Sequence, residues 1–241
     1  MVSLKKNGNV FSVYKDEEFF GKICFYENSF HAKNTYIKFD FAIFDEKDCK
    51  QLFKELYEIS EKPLQAMIYS DDTKSKTMLE SGGFILKRKC YETEASIVDY
   101  LGNNVESDLK HAVFGDEKYN ICCQLMYNRY TEMHKDINPW TAEYEAFYTE
   151  LPETVYFNEN TNGIENFAFI EENEIAYIYG NDETFISFAE KLVSALFEKY
   201  KTVFFESDNC DSVAMNLKSL FRVNNKPSYD TYVYSSKKLM Q

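Results

Sequence analysis

The feature that most constrains the fold of this chain is an internal repeat. Residues 51–72 and 188–209 align at a constant shift of 137 residues without a gap, and five of the 22 aligned positions are identical. Hydrophobic residues keep the same phase in both segments, as at Ile68 and Phe205. Each segment has the pattern of an amphipathic helix, a buried strand and the start of a second helix. A shared phase over equal element lengths is typical of duplicated units, so the sequence predicts two copies of one α/β unit.

Composition excludes several classes of partner. The 241 residues are 44% hydrophobic and 17% aromatic, which is enough apolar material for a large core. The 40 acidic and 27 basic residues give a net charge of −13. Nucleic acids and anionic membrane surfaces bind basic faces, so neither is an expected partner. No apolar run approaches the roughly 20 residues of a membrane span, and the N-terminal residues lack the hydrophobic segment of a signal peptide.

The spacing of cysteine and histidine residues argues against a disulfide framework and against a metal site. The six cysteines are Cys24, Cys49, Cys90, Cys122, Cys123 and Cys210. None has the Cys-x-x-Cys spacing, and we expect reduced, mostly buried thiols in a cytoplasmic protein. The three histidines, His31, His111 and His134, are too dispersed to suggest zinc ligation, so no metal is expected.

Hydrophobic periodicity predicts the order of helices and strands. In the first copy, strands are expected at 10–14, 19–26, 36–44 and 64–69 and a strand pair from Phe84 onward, with helices over 46–60 and up to Gly82. In the second copy, helices are expected over 118–137, 139–151, 184–200 and 209–219, and strands over 154–158, 166–171, 174–179, 202–207 and within 221–234. We assign residues 1–95 to the first copy and 96–241 to the second, which alone has the helices 118–151.

Both copies have the same spacing of residues from the end of the buried strand, through the second helix, to the start of the next strand. It is formed by Asp72, Ser75, Leu79 and Gly83-Phe84 in the first copy, and by Asn209, Ser212, Asn216 and Leu220-Phe221 in the second. This spacing resembles the Asn-x-x-Ala-x-x-x-Tyr-x-x-x-Gly-Phe segment of the GNAT superfamily, the acyl-CoA-dependent N-acetyltransferases. The resemblance implies a tandem pair of GNAT-like α/β (α+β) domains, each a twisted, mixed, mostly antiparallel sheet flanked by helices.

The resemblance also implies acetyl-CoA as co-substrate, with its pyrophosphate bound by a glycine-containing loop at a helix N-terminus. The corresponding turn of the first copy has three acidic residues between positions 45 and 48 and no glycine. The turn of the second copy, YGNDETFIS, has Gly180, but Asp182 and Glu183 oppose a diphosphate. Helix capping explains such acidic residues as well. The cofactor-binding residues that the resemblance implies are Tyr179, Gly180, Asn181, Thr184, Asn209 and Asn216.

Catalytic residues are less clearly marked. The tyrosine that protonates the leaving thiolate in many family members corresponds to Leu79 and Asn216, and neither side chain is a general acid at neutral pH. The implied candidates for a general base are carboxylates near the open central strands of the second copy, namely Glu172, Glu174 and Glu206. Each of them also fits a solvent-facing position on a strand or turn.

Two functions follow as hypotheses. The first is an N-acetyltransferase, seated in the second copy, that moves an acetyl group from acetyl-CoA to an amine of a small molecule or a lysine side chain. The alternative is a non-catalytic GNAT-fold module that binds a ligand or a protein in a cleft lined by Trp140, Tyr144 and Tyr148. In either case a structural role is expected for residues 1–95, and the oligomeric state is left open.

Overall fold

The computed structural model describes residues 2–41, 45–181, 183–222 and 226–235. The described residues divide into two units. Unit 1 contains those of Met1–Lys89, His134–Ala142 and Pro227–Gln241, and unit 2 contains those of Cys90–Met133 and Glu143–Lys226. Each unit has its own hydrophobic core.

Unit 1 is built on a sheet in which one parallel pair interrupts an antiparallel series. Its strands, in spatial order, are β1 (Val2–Asn7), β2 (Val10–Lys15), β3 (Glu18–Tyr26), β4 (Thr35–Phe41), β5 (Leu64–Tyr69) and β12 (Tyr229–Tyr234). The pair β4 and β5 is parallel, and the other neighbours are antiparallel. Helices α1 (Glu46–Ser60) and α2 (Thr73–Gly82) supply Leu52, Phe53 and Leu79 to the core of this unit.

Unit 2 repeats this arrangement. Its strands, in spatial order, are β7 (Lys110–Val113), β8 (Thr154–Asn160), β9 (Gly163–Glu171), β10 (Glu174–Tyr179), β11 (Thr202–Asp208) and the part of β6 (Ile85–Ser96) that starts at Cys90. Helices α5 (Phe185–Lys199) and α6 (Ser212–Ser219) pack into the core on one face. Helices α3 (Glu117–His134) and α4 (Tyr144–Glu150) place aromatic rings against the other face, where Tyr119 contacts Phe169.

The two units share one design, as the repeat predicted. In each, a parallel pair of strands is joined by a helix, a second helix follows, and the remaining pairs are antiparallel. Phe84 and Phe221 are both 4% exposed and lie against Phe53 and Phe205 in their respective cores. The predicted fold class, tandem α/β (α+β) domains with mixed, mostly antiparallel sheets flanked by helices, is confirmed.

The last strand of each copy lies in the unit built mainly from the other copy. Strand β6 follows α2 of the first copy, yet Cys90–Ser96 pair antiparallel with β11 in unit 2. Strand β12 follows α6 of the second copy, yet it pairs antiparallel with β5 in unit 1. The assignment of 1–95 and 96–241 to the two copies stays a prediction about order along the chain, whereas the described units exchange their final strands.

Some predicted boundaries are wrong for local reasons. The helix expected from Pro139 begins at Tyr144, because Asn138 bonds back to His134 (Oδ1 to Nδ1, 2.9 Å) and the backbone N–H of Thr141 donates to the carbonyl of Phe30. The helix expected from residue 209 begins at Ser212, since the Asp211 side chain caps it. Strands β1 and β7 were not predicted, and residues 42–44 of the strand expected at 36–44 lie outside the described residues.

Candidate active site

The parallel strands of unit 2 pair only at their beginning. Glu174 pairs with Phe204 and Ile175 with Phe205, and the pairing stops there although β10 continues to Tyr179 and β11 to Asp208. A bulge in β10 lies at the same level, where its register with β9 shifts between Ile175 and Tyr177. The facing edges of the two strands beyond Ile175 are therefore not joined by sheet pairing. We call this region, bounded by Ala176–Tyr179 and Glu206–Asp208, the strand opening.

Two of the three candidate bases lie beside the strand opening. Glu174 is partly buried, and burial raises the pKa of its carboxyl above the ordinary value of 4.5, with repulsion from Glu171 and Glu206 adding to the shift. Glu206 is exposed on β11, with Oε2 3.5 Å from the Sγ of Cys90. Glu172 instead occupies the β9–β10 turn, exposed and with a φ of 52°. Glu174 and Glu206 thus lie on the two strands that flank the opening, whereas Glu172 lies in a turn.

Tyr177 is a residue of this region that the sequence did not reveal. Its ring packs at 6.0 Å from that of Phe147 and 6.4 Å from that of Tyr130. Burial raises the pKa of its hydroxyl, and the nearby carboxylates of Glu150, Glu206 and Glu174 raise it further. The hydroxyl therefore holds its proton firmly at neutral pH. No sequence signal marks this tyrosine, because strict alternation along β10 fails at the bulge.

The turn between β10 and α5, predicted to bind the pyrophosphate, is organised by two asparagines. The side chain of the fully buried Asn166 accepts from the N–H of Asn181 (2.9 Å) and donates to the hydroxyl of Thr184 (2.9 Å). The side-chain oxygen of Asn181 accepts from the N–H of Glu183. The backbone carbonyl of Asn181 accepts from the N–H groups of Thr184 and Phe185. These four N–H groups already have partners within the protein.

The close packing of the same turn explains why position 180 is a glycine. A Cβ atom at this position would lie 2.4 Å from Cδ2 of Phe185 and 2.8 Å from Oδ1 of Asn166. The glycine therefore permits the close packing of the turn on the first residue of α5. Asp182, which was expected to oppose a phosphate, lies outside the described residues. The donor groups of this turn fit a pyrophosphate poorly, because a bound phosphate would have to displace the asparagine contacts.

An arginine from α3 lies at the ends of β10 and β11. Nη2 of Arg129 is 2.5 Å from Oδ1 of Asp211, and its guanidinium lies 5.8 Å from the ring centre of Tyr179. Tyr179 in turn stacks on Phe167, with ring centres 4.7 Å apart. Asp211 also caps α6 by accepting from the N–H groups of Val213 and Ala214. Arg129 thus connects the end of β10 with the start of α6.

The remaining implied cofactor residues lie close to α6. Asn209 is exposed in the turn after β11, and Asn216 lies partly buried in α6, where its carbonyl accepts from the hydroxyl of Ser219. Asn216 is the residue that the resemblance aligns with the family's tyrosine. Tyr177, on β10 beside the strand opening, has a hydroxyl whose pKa the charges of Glu206 and Glu174 help to raise.

The corresponding turn of unit 1 shows what its acidic residues do. The Asp45 side chain accepts from the N–H of Asp48 and caps α1 (2.9 Å), and this bond lowers the pKa of Asp45. The ammonium of Lys15 lies 2.7 Å from the carboxylate of Asp48 and 3.3 Å from that of Asp45. Capping and ion pairing therefore account for these acids, as one of the two sequence interpretations proposed.

The described part of the chain contains neither a metal-binding cluster nor a membrane-spanning helix. No group of three or more histidine, cysteine, aspartate or glutamate side chains there is placed to hold a metal ion. No helix there is both long and apolar enough to span a membrane.

Comparison with solved structures decides the fold family. A GCN5-related N-acetyltransferase from Sphaerobacter thermophilus aligns over 94% of this chain and 80% of its own, with a TM-score of 0.54 and 9% identity. A GCN5-related N-acetyltransferase from Kribbella flavida aligns over 99% of this chain and 91% of its own, with a TM-score of 0.51 and 10% identity. The chain has the GNAT fold. No family model matches its sequence, and no curated protein does.

The GNAT fold accounts for the repeated elements of the two copies. It explains why the repeat joins a helix, a strand and a second helix at the same spacing in both copies. The duplication itself rests on the repeated elements of this chain. At identities near 10%, the similarity to the two acetyltransferases extends to the fold alone.

Proposed function

We propose that this protein is an N-acyltransferase that moves an acetyl group from acetyl-CoA to a cationic amine, with its active site at the strand opening of unit 2. The observation that carries the proposal is the position of Glu174 and Tyr177 beside that opening in a chain with the GNAT fold. Acetyl-CoA, when bound, supplies an acyl group activated as a thioester. The amine is that of a small molecule or of a lysine side chain.

The residues of unit 2 have complementary roles in this proposal. An amine is nucleophilic only after it has lost its proton, and Glu174 would accept that proton on its carboxylate. A raised pKa makes this carboxylate a better base than an ordinary surface glutamate. Tyr177 would keep its proton on Oη and present it toward the opening. Glu206 and Glu171 add negative charge that attracts a cationic acceptor.

A specific observation favours a second candidate function. The N–H groups of Asn181, Glu183, Thr184 and Phe185 are already bonded within the protein. A phosphate gains little from donors that are in use, so this turn supports a non-catalytic module that binds an amine at the same opening without acetyl-CoA. Under both candidates we propose a cytoplasmic location, which the scattered cysteines support. We also propose no nucleic-acid or membrane partner, which the acidic composition supports.

Thiol release from acetyl-CoA distinguishes the two candidates. Wild-type protein is mixed with acetyl-CoA and with spermidine or a lysine-containing peptide, and free thiol is measured over time. The acyltransferase proposal expects amine-dependent release that falls at least tenfold in Glu174→Gln, since a general base contributes about 10²–10⁴ to the rate. Glu172→Gln, in the neighbouring turn, is the matched control and should retain full activity.

Binding of acetyl-CoA is measured separately by thermal unfolding. A ligand that binds only the folded state raises the midpoint of unfolding. A raised unfolding midpoint without thiol release would show that acetyl-CoA binds but that neither amine tested is the acceptor. The absence of both a shift and thiol release at millimolar acetyl-CoA would overturn the acyltransferase proposal and favour the non-catalytic module.

A further inference from the structure

We infer that Arg129 binds a carboxylate on the acceptor, so that the acceptor is an amine that also carries a carboxylate. This inference deepens the function proposed above and rests on it for the active site at the strand opening. Arg129 lies at the far end of that opening. Its guanidinium is 5.8 Å from the ring centre of Tyr179, the last residue of β10. On the other side, Nη2 is 2.5 Å from Oδ1 of Asp211, which follows the end of β11.

Most of the donors of this guanidinium have no acceptor within the protein. An arginine side chain has five N–H donors, and in the described part of the chain a single hydrogen bond, from Nη2, uses one of them. Nε is buried and has no partner among the described residues. Because a buried donor without an acceptor costs free energy, this arrangement favours a ligand that supplies acceptor oxygens.

The ion pair with Asp211 has a geometry that a ligand can share. Arginine and carboxylate groups frequently pair through two parallel N–H···O bonds. Here Oδ1 of Asp211 accepts from Nη2 and also from the backbone N–H groups of Val213 and Ala214. The carboxylate therefore keeps two donors when the guanidinium turns toward another anion.

The neighbours of Arg129 on α3 indicate which substrate reaches it. Tyr130 packs on Tyr177, the proposed proton donor, and Arg129 packs on Tyr179. The two tyrosines of β10 are separated by about 7 Å, the length of two residues in an extended strand. An amine that reacts beside Tyr177 therefore has its own carboxylate within reach of Arg129 when a short aliphatic chain joins the two groups.

The charges of the strand opening suit such an acceptor. Negative charge lies around Glu174, where Glu171 and Glu206 are close enough to raise the pKa of its carboxyl. Positive charge lies at the other end, on Arg129. An acceptor with an ammonium at one end and a carboxylate at the other matches both ends. The planar fork of a guanidinium also fits a carboxylate, which has two acceptor oxygens in one plane.

The test is a calorimetric titration of the full chain at low ionic strength, without acetyl-CoA. The probes are 6-aminohexanoate, which has both charged ends, and pentylamine, which is the same chain without the carboxylate. We expect 6-aminohexanoate to bind at least about ten times more tightly, because hydrogen bonds between charged groups add to the affinity. Equal affinity for the two probes, or no binding of either at millimolar concentration, would overturn the inference.

Two substitutions should change the affinity in opposite directions. Arg129→Gln should remove the preference for 6-aminohexanoate and leave the binding of pentylamine unchanged. Asp211→Asn keeps a capping side chain but frees the guanidinium from a competing carboxylate, so 6-aminohexanoate should bind about threefold more tightly. An ion pair with a structural role alone predicts lower stability in both variants without these opposite changes in affinity. That result would contradict the inference.

Lys191→Gln is the matched control. Lys191 belongs to α5 of the same unit, and its Nζ is 2.6 Å from Oδ1 of Asp108, so this variant also removes the cation of an ion pair. It should bind both probes with wild-type affinity. If Arg129→Gln does not fold, Arg129→Lys replaces it, because lysine keeps the charge without the planar fork. Arg129→Lys should bind 6-aminohexanoate more weakly than wild type does.

Inorganic pyrophosphate tests the other source of an anion, the diphosphate of acetyl-CoA. Pyrophosphate binding that is lost in Arg129→Gln, without any preference for 6-aminohexanoate over pentylamine, would assign Arg129 to the donor and overturn the inference. The titrations do not depend on acyl transfer. Arg129-dependent binding of 6-aminohexanoate without thiol release would therefore overturn the acyltransferase proposal alone, whereas thiol release with equal affinity for the two probes would overturn this inference alone.

Discussion

The guanidinium of Arg129 and the carboxylate of Asp211 form a 2.5 Å ion pair in unit 2, with both side chains largely buried. The pair joins a helix on one face of the sheet to the N-terminal cap of α6. Because Asp211 is also the helix cap, its charge is held by two backbone N–H groups as well as by the arginine.

A double-mutant cycle should measure this pair. Asp211→Asn keeps a good capping side chain while removing the charge, and Arg129→Met keeps the apolar stem. We expect Arg129→Met to lower the free energy of unfolding by about 1–3 kcal/mol, because it leaves a largely buried carboxylate without its cation. The coupling between the two changes, measured by urea unfolding, should be at least about 1 kcal/mol. A coupling within error of zero would mean that the pair is solvent-screened.

The equivalent phenylalanines of the two cores give a second prediction. Phe84→Ala and Phe221→Ala should each lower the free energy of unfolding by about 3–5 kcal/mol, because each ring is buried and its removal leaves a cavity. Phe19, which is 56% exposed, serves as the control, and Phe19→Ala should change stability by less than about 0.5 kcal/mol. A small loss at only one of the two buried positions would show that the cores are not equivalent.

The raised pKa of Glu174 predicts a pH-dependent effect on stability. Its folded-state pKa lies above the unfolded value of 4.5, so the ionised carboxylate destabilises the native state. This destabilisation is present above the raised pKa and disappears as the pH falls through it toward 4.5. Glu174→Gln should therefore be more stable than wild type at pH 7, by under about 1 kcal/mol because solvent screens the carboxyl, and equal to it near pH 4.

Urea unfolding of Glu174→Gln at the two pH values tests this, with Glu172→Gln in the exposed turn as the control. A Glu174→Gln variant that is less stable than wild type at pH 7 would show that the carboxylate makes a favourable contact instead.

Local sequence patterns predicted most of the helices and strands but few of the contacts between them. The apolar stripe at Leu52, Phe53 and Leu56 identified α1 because helix periodicity is a property of neighbouring residues. Strand β7 was missed because four residues are too few for a pattern, and the helix at Pro139 was wrong because the Asn138 side chain bonds back to His134. The sequence placed Glu174 correctly on a strand, yet the bulge that accompanies Tyr177 depends on pairing with β9.

The exchange of final strands predicts that the first copy does not fold as an isolated fragment. A chain of residues 1–95 lacks β12, which pairs with β5 along its whole length from Leu64 to Tyr69. We expect this fragment to lack the cooperative unfolding transition of a folded domain, because β5 would lose its antiparallel neighbour and buried Tyr232 would be missing from the core.

Adding a peptide of residues 226–235 should raise the protection of the β5 amides from hydrogen exchange. A peptide in which Tyr232 is replaced by Asp is the control and should have no effect. Cooperative unfolding of 1–95 without any peptide would contradict this prediction.

The same exchange sets the order in which the units can be completed on the ribosome. Synthesis runs from the N-terminus, and domains generally fold in that order. Here the described strands and helices of unit 2 end with α6 at Ser219, whereas unit 1 needs Tyr229–Tyr234. Unit 1, whose first residues are synthesised first, is therefore the last to receive all of its strands. Until then its nascent sheet has an open edge along β5, and an unpaired strand edge can pair with other chains.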